Sequence, residues 1–296
     1  MNKIIETVPN FSEGRDEAVI NQIADCFRNT AEVKLLDVKP DKDHNRTVVT
    51  AIGEPEPLKN CLYKAFDVAV AKIDLKKHKG EHPRMGAVDV VPFIPVRNSN
   101  MNECIELAKE TAKAISYKHN IPIFLYEAAA SSPDRQNLAN IRKGEYEGWL
   151  EKIKDPKWKP DFGPSEMHPT AGASVFGARE YLIAFNINLS TGDIKIADKI
   201  ARAVRGSSGG YVNVKGMGVE LTGRGIVQVS MNLVNYKKTP IFRVFETVRL
   251  EAARYGVNVV GSELIGMAPM EALLQCADYY LRIEGFDMKQ VIENNL

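Results

Sequence analysis

The stretch VKLLDVKPDKDHNRTVVTAIG, residues 33–53, holds two runs rich in β-branched and apolar residues that are joined by a polar turn. Such runs predict two consecutive strands, VKLLDVKP and RTVVTAIG. Segments with helical periodicity lie on either side, at residues 16–29 and 55–73, and beyond them lie the strand-like runs IIETVPN and VDVVPFIPV. The resulting order, β-α-β-β-α-β, is that of ferredoxin-like folds, in which both helices cover one face of an open sheet. A further helix, residues 102–119, and the strand IPIFLYE extend this half.

The same order recurs after Pro164, with strands at 181–189, 211–221, 225–234 and 257–264 and helices from about 193 and over 239–255. Asn10 and Asn188 end corresponding strands, and Arg46 and Arg224 open corresponding strands, each pair at an offset of 178. We therefore predict an α+β fold of two ferredoxin-like subdomains, residues 1–178 and 179–296. Because the helices leave one face of each sheet bare, we expect the sheets to face each other across a ligand groove.

The segment KDPKWKPDFGPSEMHPTAGAS, residues 154–174, is rich in proline and also contains Trp158 and Phe162. Proline-rich segments form stiff linkers between domains. The glycines of GPSEMHPTAG equally suit a backbone that approaches a ligand closely. Composition alone leaves both interpretations open.

The segment HKGEHPRMG, residues 78–86, matches the H-x-x-E-H pattern of zinc peptidases through His78, Glu81 and His82. That zinc site needs a continuous helix, which Gly80 and Pro83 disfavour. The alternatives are a solvated basic turn and a loop that holds a catalytic histidine. We predict a loop without a metal.

Composition bounds the partners and the compartment. The chain has a net charge of +1 at pH 7, which gives no long-range attraction to nucleic acid or to an acidic membrane. Its four cysteines form no C-x-x-C pair and are predicted to be reduced. No signal peptide or apolar run of membrane-spanning length is visible, so we expect a cytoplasmic protein. No glycine-rich strand-loop-helix motif predicts a nucleotide site.

Several segments together resemble the glutamate formiminotransferase family: VPNFSEGRD, LLDV followed by NRTVVT, HKGEHPRMGAVDVVPFIPV, IRKGEYEG, PDFGPS, LIAFNIN and VVGSELIGMAP. The resemblance covers essentially the whole chain and implies two subdomains with tetrahydrofolate bound between them. It implies transfer of the formimino group from N-formimino-L-glutamate to tetrahydrofolate, which is a co-substrate, with no metal and in a homodimer. Lys39 departs from the family pattern, because vertebrate relatives carry an acidic residue there.

The resemblance also implies site residues. It places the catalytic histidine on His82. It places the folate-binding segment on Gly163, Pro164, Ser165, Glu166, Met167, His168, Pro169, Thr170, Ala171 and Gly172.

Charge and position suggest further substrate contacts. Arg46 and Arg84 are candidates to bind a carboxylate through two parallel hydrogen bonds, and Asn10 and Asn188 are candidates to bind the pterin or the amidine. A histidine suits proton transfer between two nitrogens, because its unperturbed pKa of about 6.5 lies near neutral pH. The alternatives are formyl transfer between 5-formyltetrahydrofolate and glutamate, a folate-binding protein without catalysis, and a metallohydrolase.

Overall fold

A computed structural model describes residues 2–295, and the chain divides into two compact units, residues 1–179 and 180–296. We call them unit 1 and unit 2. The strands of unit 1 are β1 Ile4–Thr7, β2 Asn10–Phe11, β3 Val33–Asp41, β4 Arg46–Gly53, β5 Val88–Arg97, β6 Ile123–Glu127 and β7 Ser174–Ala178. Its helices are α1 Glu17–Arg28, α2 Pro55–Lys72, α3 Met101–His119, α4 Pro133–Gln136, α5 Leu138–Arg142 and α6 Glu145–Lys152.

In unit 2 the strands are β8 Ile183–Leu189, β9 Val214–Leu221, β10 Ile226–Leu233 and β11 Val259–Ile265. The helices are α7 Ile194–Val204, α8 Ile241–Ala253 and α9 Met270–Leu281. Each unit therefore contains the predicted order β-α-β-β-α-β, and the predicted α+β class is confirmed. Among the helices between residues 2 and 295, none is both long and apolar enough to cross a membrane.

The sheet of unit 1 is built outward from the quoted stretch. Strand β4 pairs antiparallel with β3 on one side and with β1 on the other, and β1 also pairs antiparallel with β5. The predicted first strand is interrupted, because Pro9 has no N–H to donate to a ladder. The Pro9 carbonyl still accepts a hydrogen bond from Val49 N at 3.0 Å, and β2 continues the pairing with β4 and β5.

Strand β7 was not predicted, and its position corrects the interpretation of the proline-rich segment. It lies between β5 and β6 and runs parallel to both. The chain therefore returns to the same sheet after residues 154–173, so that segment is not a linker between the units. Gly177 permits this insertion, because a Cβ there would lie 2.4 Å from Cδ1 of Tyr126.

The two faces of the unit 1 sheet bury different clusters. One face packs against α1, α2 and α3 around Phe27, Phe66 and Phe176. On the other face, Trp149 of α6 packs against Phe124 of β6, with ring centroids 4.6 Å apart and the ring planes tilted by 48°. The prediction that this second face is bare is therefore wrong over β5, β7 and β6. The burial of each such aromatic side chain contributes roughly 1.5–3 kcal/mol.

Unit 2 keeps only the basic arrangement. Its strand order is β11-β8-β10-β9, and every pair is antiparallel. Ile183, Phe185, Ile187 and Leu189 alternate along β8 and are buried in one cluster with α7 and α8. This alternation is what a strand with one covered face requires.

The internal repeat is confirmed in its order but shifted in its register. Asn10 lies opposite Val48, whereas Asn188 lies opposite Gln228, so the offset is 178 on one strand and 180 on its partner. The position on β10 that corresponds to Arg46 is therefore Ile226. The predicted equivalence of Arg46 and Arg224 is wrong by two residues.

Candidate active site

Residues 73–87 connect α2 to β5, and we call them the histidine loop. They contain no helix, as predicted from Gly80 and Pro83. Gly80 has a specific steric reason to be glycine, because a Cβ there would lie 2.3 Å from the carbonyl oxygen of His44. The close approach is completed by a hydrogen bond from Glu81 N to Asp43 O at 3.2 Å. The H-x-x-E-H spacing therefore does not lie on one helical face.

His78 is fully engaged in holding this loop. Its Nδ1 accepts a hydrogen bond from Nε of Arg84 at 3.2 Å, and its Nε2 lies 2.8 Å from the carbonyl oxygen of Asn45. Because arginine only donates, Nε2 must carry the proton of a neutral ring. Burial lowers the pKa of His78, which favours the same neutral form. Within residues 2–295, no three side chains of His, Cys, Asp or Glu are grouped so that they would hold a metal ion.

His82 lies half-buried against Arg46 at the start of β4. Its Nε2 is 2.7 Å from Nη1 of Arg46, and the same Nη1 donates to Oδ1 of Asn10 at 3.2 Å. Nε2 is therefore the acceptor, and the neutral ring carries its proton on Nδ1. Burial, followed by the positive charges of Arg46 and Arg142, lowers the pKa of His82 to about 3.

Arg142, at the end of α5, is a site residue that sequence reasoning missed. Its Nε donates to Oδ2 of Asp89 at 2.8 Å, and its Nη2 donates to the same oxygen. The other oxygen of Asp89 accepts from Met85 N at 2.9 Å, so this buried carboxylate ties α5 to the histidine loop. The available signal was the IRKGEYEG segment, which contains Arg142 and was used only for the resemblance.

Arg46 is less completely neutralised than Arg142. Among the described residues it forms no ion pair, and its buried Nε has no hydrogen-bond partner. Burial, followed by the positive charge of Arg142, lowers the pKa of Arg46. A buried guanidinium with an unused N–H is suited to an anionic ligand.

Arg84 has a different environment from Arg46. Nη1 of Arg84 donates to Glu145 at 2.8 Å, and Nη1 and Nη2 donate to the two oxygens of Glu147 at 2.9 and 2.7 Å. These carboxylates raise the pKa of Arg84. Its donors hold the first turn of α6 against the histidine loop, and we assign no substrate carboxylate to it.

Residues Gly163–Gly172, the predicted folate-binding residues, lie beside the histidine loop, and we call them the folate segment. Gly172 has φ +68°, and a Cβ there would lie 2.2 Å from the carbonyl oxygen of Met85. A backbone hydrogen bond of 2.9 Å from Ala87 N to Ala171 O joins the two segments directly, and a second, from Ala173 N to Met85 O at 2.9 Å, follows just after Gly172. The end of the segment is therefore fixed within a few residues of His82.

The rest of the folate segment is also ordered by local contacts. Nδ1 of His168 accepts from the backbone N–H groups of Thr170 and Ala171 at 3.3 and 3.0 Å. The hydroxyl of Tyr146 donates to Pro169 O at 2.9 Å. At the other end, Gly163 and Pro164 line a surface cleft of about 950 Å³ next to α3.

Asn188 belongs to unit 2, where its amide is satisfied locally. Its Oδ1 accepts from Nε2 of Gln228 at 2.8 Å, and its Nδ2 donates to Oε1 of Glu263 at 3.1 Å. Arg224 also contacts Glu263, at 3.3 Å. The structure thus brings Asn10, Arg46 and His82 together in unit 1, and the substrate contact of Asn188 stays a prediction.

Known proteins and family models match this chain over nearly its whole length. The model of the formiminotransferase domain, N-terminal subdomain, matches residues 4–179, and that of the formiminotransferase domain matches residues 184–295. The chain is 50% identical to a glutamate formimidoyltransferase of Streptococcus pyogenes, over 100% of this chain and 99% of the relative. It is 46% identical to a glutamate formimidoyltransferase of Thermoplasma acidophilum, over 99% of this chain and 97% of the relative.

A longer relative matches over part of its length. The formimidoyltransferase-cyclodeaminase of Rattus norvegicus is 45% identical over 95% of this chain and 53% of the relative. These matches and the two family models lead to one conclusion. The chain belongs to the formiminotransferase family.

Proposed function

We propose that the chain transfers the formimino group from N-formimino-L-glutamate to N5 of tetrahydrofolate, with His82 as the general acid and base. The names of the full-length relatives support the reaction. The observation that carries the role of His82 is its position: a half-buried neutral imidazole in a loop that is hydrogen-bonded to the folate segment. Tetrahydrofolate acts as the second substrate, and the proton transfers need no metal. We place the reaction in the cytoplasm and in a homodimer.

The reaction requires one proton to move between two nitrogens. N5 attacks the amidine carbon and forms a tetrahedral adduct, in which N5 must lose its proton. The bond from that carbon to the glutamate nitrogen then breaks, and this nitrogen leaves as an amine after it gains a proton. A single imidazole within reach of both nitrogens accepts the first proton and donates the second, which typically contributes about 10²- to 10⁴-fold in rate.

The charges around His82 suit the glutamate part of the donor. Formiminoglutamate carries two carboxylates, and Arg46 presents a buried guanidinium with an unused Nε–H. Arg142 lies close enough to lower the pKa of both His82 and Arg46, although Asp89 partly neutralises it. We assign one substrate carboxylate to Arg46. Asn10 orients that guanidinium through the hydrogen bond from Nη1.

We assign the folate to residues Gly163–Gly172. Glycines at both ends allow the backbone to approach Ser116 and Met85 more closely than any side chain would permit. The segment is therefore held in one conformation before the ligand arrives, which reduces the entropy lost on binding. Alignment of two bound substrates then supplies a further part of the rate.

The test compares two substitutions in the same loop. We expect His82→Ala to lower kcat by about 10²- to 10⁴-fold while folate affinity changes less than about threefold. Glu81→Gln is the matched control: Glu81 is exposed, and a zinc peptidase would need it as its base. Formimino transfer predicts that Glu81→Gln retains wild-type turnover. Wild-type turnover in His82→Ala would remove His82 from its role.

The same assay separates the related functions. Purified protein receives formiminoglutamate with tetrahydrofolate in one series and 5-formyltetrahydrofolate with glutamate in another. Faster turnover of the formimino donor supports the proposal, and faster turnover of the formyl donor replaces it with formyl transfer. Tight folate binding without turnover of either donor would indicate a binding protein.

A further inference from the structure

The contact between Arg46 and His82 is incompatible with proton transfer as it stands. A neutral imidazole accepts a proton only at the nitrogen that bears the free lone pair. In this structure that nitrogen is Nε2, and its lone pair already accepts a hydrogen bond from Nη1 of Arg46 at 2.7 Å. The guanidinium also places a permanent positive charge next to the atom that must become positive. In the protein without substrate, His82 is therefore not available to accept a proton.

A carboxylate ligand would draw Arg46 away from its contact with His82. Its Nε is buried without a partner among residues 2–295, and it forms no ion pair there. An imidazole nitrogen is a neutral acceptor for a single N–H, whereas a carboxylate is an anion that accepts two parallel N–H bonds from a guanidinium. A substrate carboxylate is thus a stronger partner for Arg46 than His82 is.

We propose that Arg46 is a lock on His82 that the substrate opens: a carboxylate of formiminoglutamate takes over the guanidinium and releases Nε2 for proton transfer. The inference rests on the proposed function and deepens it by making the donor's carboxylate a requirement for catalysis as well as for binding. Asn10 becomes the residue that guides Arg46 between its two positions, because its Oδ1 accepts from the same Nη1.

The charges around the ring determine the size of this effect. The basic groups that act on His82 are Arg46 from β4, Arg142 from α5, His44 from the β3–β4 turn and His78 from the histidine loop. The carboxylates that act on Arg46 are Asp89 of β5 and Asp41 of β3. Binding of a carboxylate adds a negative charge to a site with an excess of positive charge. The proton affinity of His82 must therefore rise when the donor binds.

The first test measures the ionisation of His82 directly by NMR of protein with isotope-labelled histidine rings, with the signal assigned from His82→Asn. The ligand is formiminoglutamate together with folic acid, whose oxidised pterin has no nucleophilic N5–H and stops the reaction. We expect the midpoint of His82 to lie below about pH 5 in free protein and to rise by at least about one pH unit in the complex. A bound complex with an unchanged midpoint would overturn the lock.

Two arginine variants make this measurement specific. In Arg46→Met, the midpoint of His82 in free protein is expected to rise by about one pH unit, while burial and Arg142 still keep it below 6.5, and donor binding should raise it less than in wild type. Arg28→Met is the control, because Arg28 is an exposed arginine of α1 that pairs with Asp25. It should behave as wild type. A midpoint in Arg46→Met that stays as low as in wild type would show that Arg46 does not lock the ring.

The second test uses two donors that each lack one of the two carboxylate charges of formiminoglutamate. N-formimino-L-glutamine lacks the charge of the γ-carboxylate, and N-formimino-γ-aminobutyrate lacks the α-carboxylate. With wild type, we expect one of them to lower kcat at saturation at least about tenfold, because the missing carboxylate no longer frees His82. With Arg46→Met, kcat should be the same for that donor and for formiminoglutamate within about twofold. Effects on KM alone with wild type would contradict the lock.

The outcomes separate this inference from the proposed function. If wild type turns over formiminoglutamate while the His82 midpoint does not respond to it, the lock fails and the function stands. If wild type does not transfer the formimino group from formiminoglutamate to tetrahydrofolate, the proposed function itself fails.

Discussion

The two units share one arrangement of strands, and within that shared pattern they differ most in the length of one connection. In unit 1 the chain between the second helix and the last strand of the shared pattern spans residues 73–87, and in unit 2 it spans residues 254–258. The longer connection is the histidine loop. Unit 1 also contains β6, the short helices, the folate segment and β7. The end of the folate segment is hydrogen-bonded to the histidine loop. The difference teaches that the repeated pattern supplies the scaffold together with Asn10 and Arg46, whereas the longer connection supplies His82, to which we assign the proton transfer.

The polar groups at corresponding positions differ as well. In unit 1, Asn10 accepts from the guanidinium of Arg46, which also donates to His82 and has no ion pair among the described residues. In unit 2, Asn188 is part of a closed set in which Gln228 and Arg224 also donate to Glu263. A site that keeps donors unused is suited to a ligand, whereas a set with paired donors and acceptors stabilises its own fold. Matched substitutions in the two units test this contrast.

The largest effect is expected at Gly172 of the folate segment. Gly172→Ala introduces a Cβ that would lie 2.2 Å from Met85 O at a φ of +68°. We expect a loss of about 3 kcal/mol or more in the free energy of unfolding, because strain and a clash with backbone act together. Activity should fall too, since the residues on either side of Gly172 are hydrogen-bonded to the histidine loop. Urea unfolding and the formimino-transfer assay measure both.

Gly256 in unit 2 provides the matched control. Its φ is +67°, and a Cβ there would meet nothing within 4 Å. Gly256→Ala should cost only about 1 kcal/mol, from the backbone conformation alone. Equal losses in the two variants would mean that the contact with Met85 contributes nothing.

The next effect concerns two carboxylates. Asp89→Asn in unit 1 removes the charge that neutralises Arg142 in a site where the carboxylate is 1% exposed. We expect a loss of about 2–3 kcal/mol, because a largely buried guanidinium loses its ionic partner. Glu263→Gln in unit 2 removes a carboxylate of similar hydrogen bonding whose side chain is 39% exposed. Its loss should be clearly smaller than that of Asp89→Asn, and thermal unfolding distinguishes the two.

Much of the fold followed from the sequence because local signals agreed with the tertiary structure. Asp16 caps α1 by accepting from Ala18 N and Val19 N, and Pro55 opens α2, so both helices begin where they were predicted. Strand β7 failed as a prediction because its five residues are buried on both sides and include Gly177. A short strand of that kind shows no alternation, and its place depends on the neighbours it inserts between.

The candidate site, like the fold, has parts that the sequence predicted and parts that it did not. His82 was predicted from the family resemblance and its role stays a prediction, whereas the loop followed from Gly80 and Pro83, because backbone preferences are local. The hydrogen bond from Arg46 to His82 could not be predicted, since these residues are far apart in sequence and the contact depends on how β4 and the loop pack. Arg84 and Arg46 look alike as sequence, and only the position of Glu147 shows that Arg84 is already paired.

That pairing gives a third comparison, between Arg84 in unit 1 and Arg224 in unit 2. Arg84 has a side chain that is 8% exposed, binds Glu145 and Glu147 and donates to His78. Arg84→Met should lower the free energy of unfolding by about 2 kcal/mol, since its two carboxylates are partly exposed and regain water. Arg224, with a side chain 55% exposed, should lose less than about 0.5 kcal/mol as Arg224→Met. Chemical denaturation of both variants at one pH checks the difference.

The smallest effect is a dependence of stability on pH. All five histidines lie in unit 1, and the pKa of His82 is about 3, below its ordinary value of 6.5. The unfolded chain therefore binds a proton at His82 below pH 6.5 that the folded chain does not bind. Its contribution to stability is complete above pH 6.5 and is lost as the pH falls toward 3.

Replacement of the ring isolates this contribution from that of the other histidines. Between pH 7 and pH 5, His82→Asn should lose less stability than wild type by about 1 kcal/mol, after allowance for solvent screening of a half-buried ring. If His82→Asn and wild type lose the same stability, the folded protein does not hold this imidazole neutral, and the contrast between the two units loses its electrostatic basis.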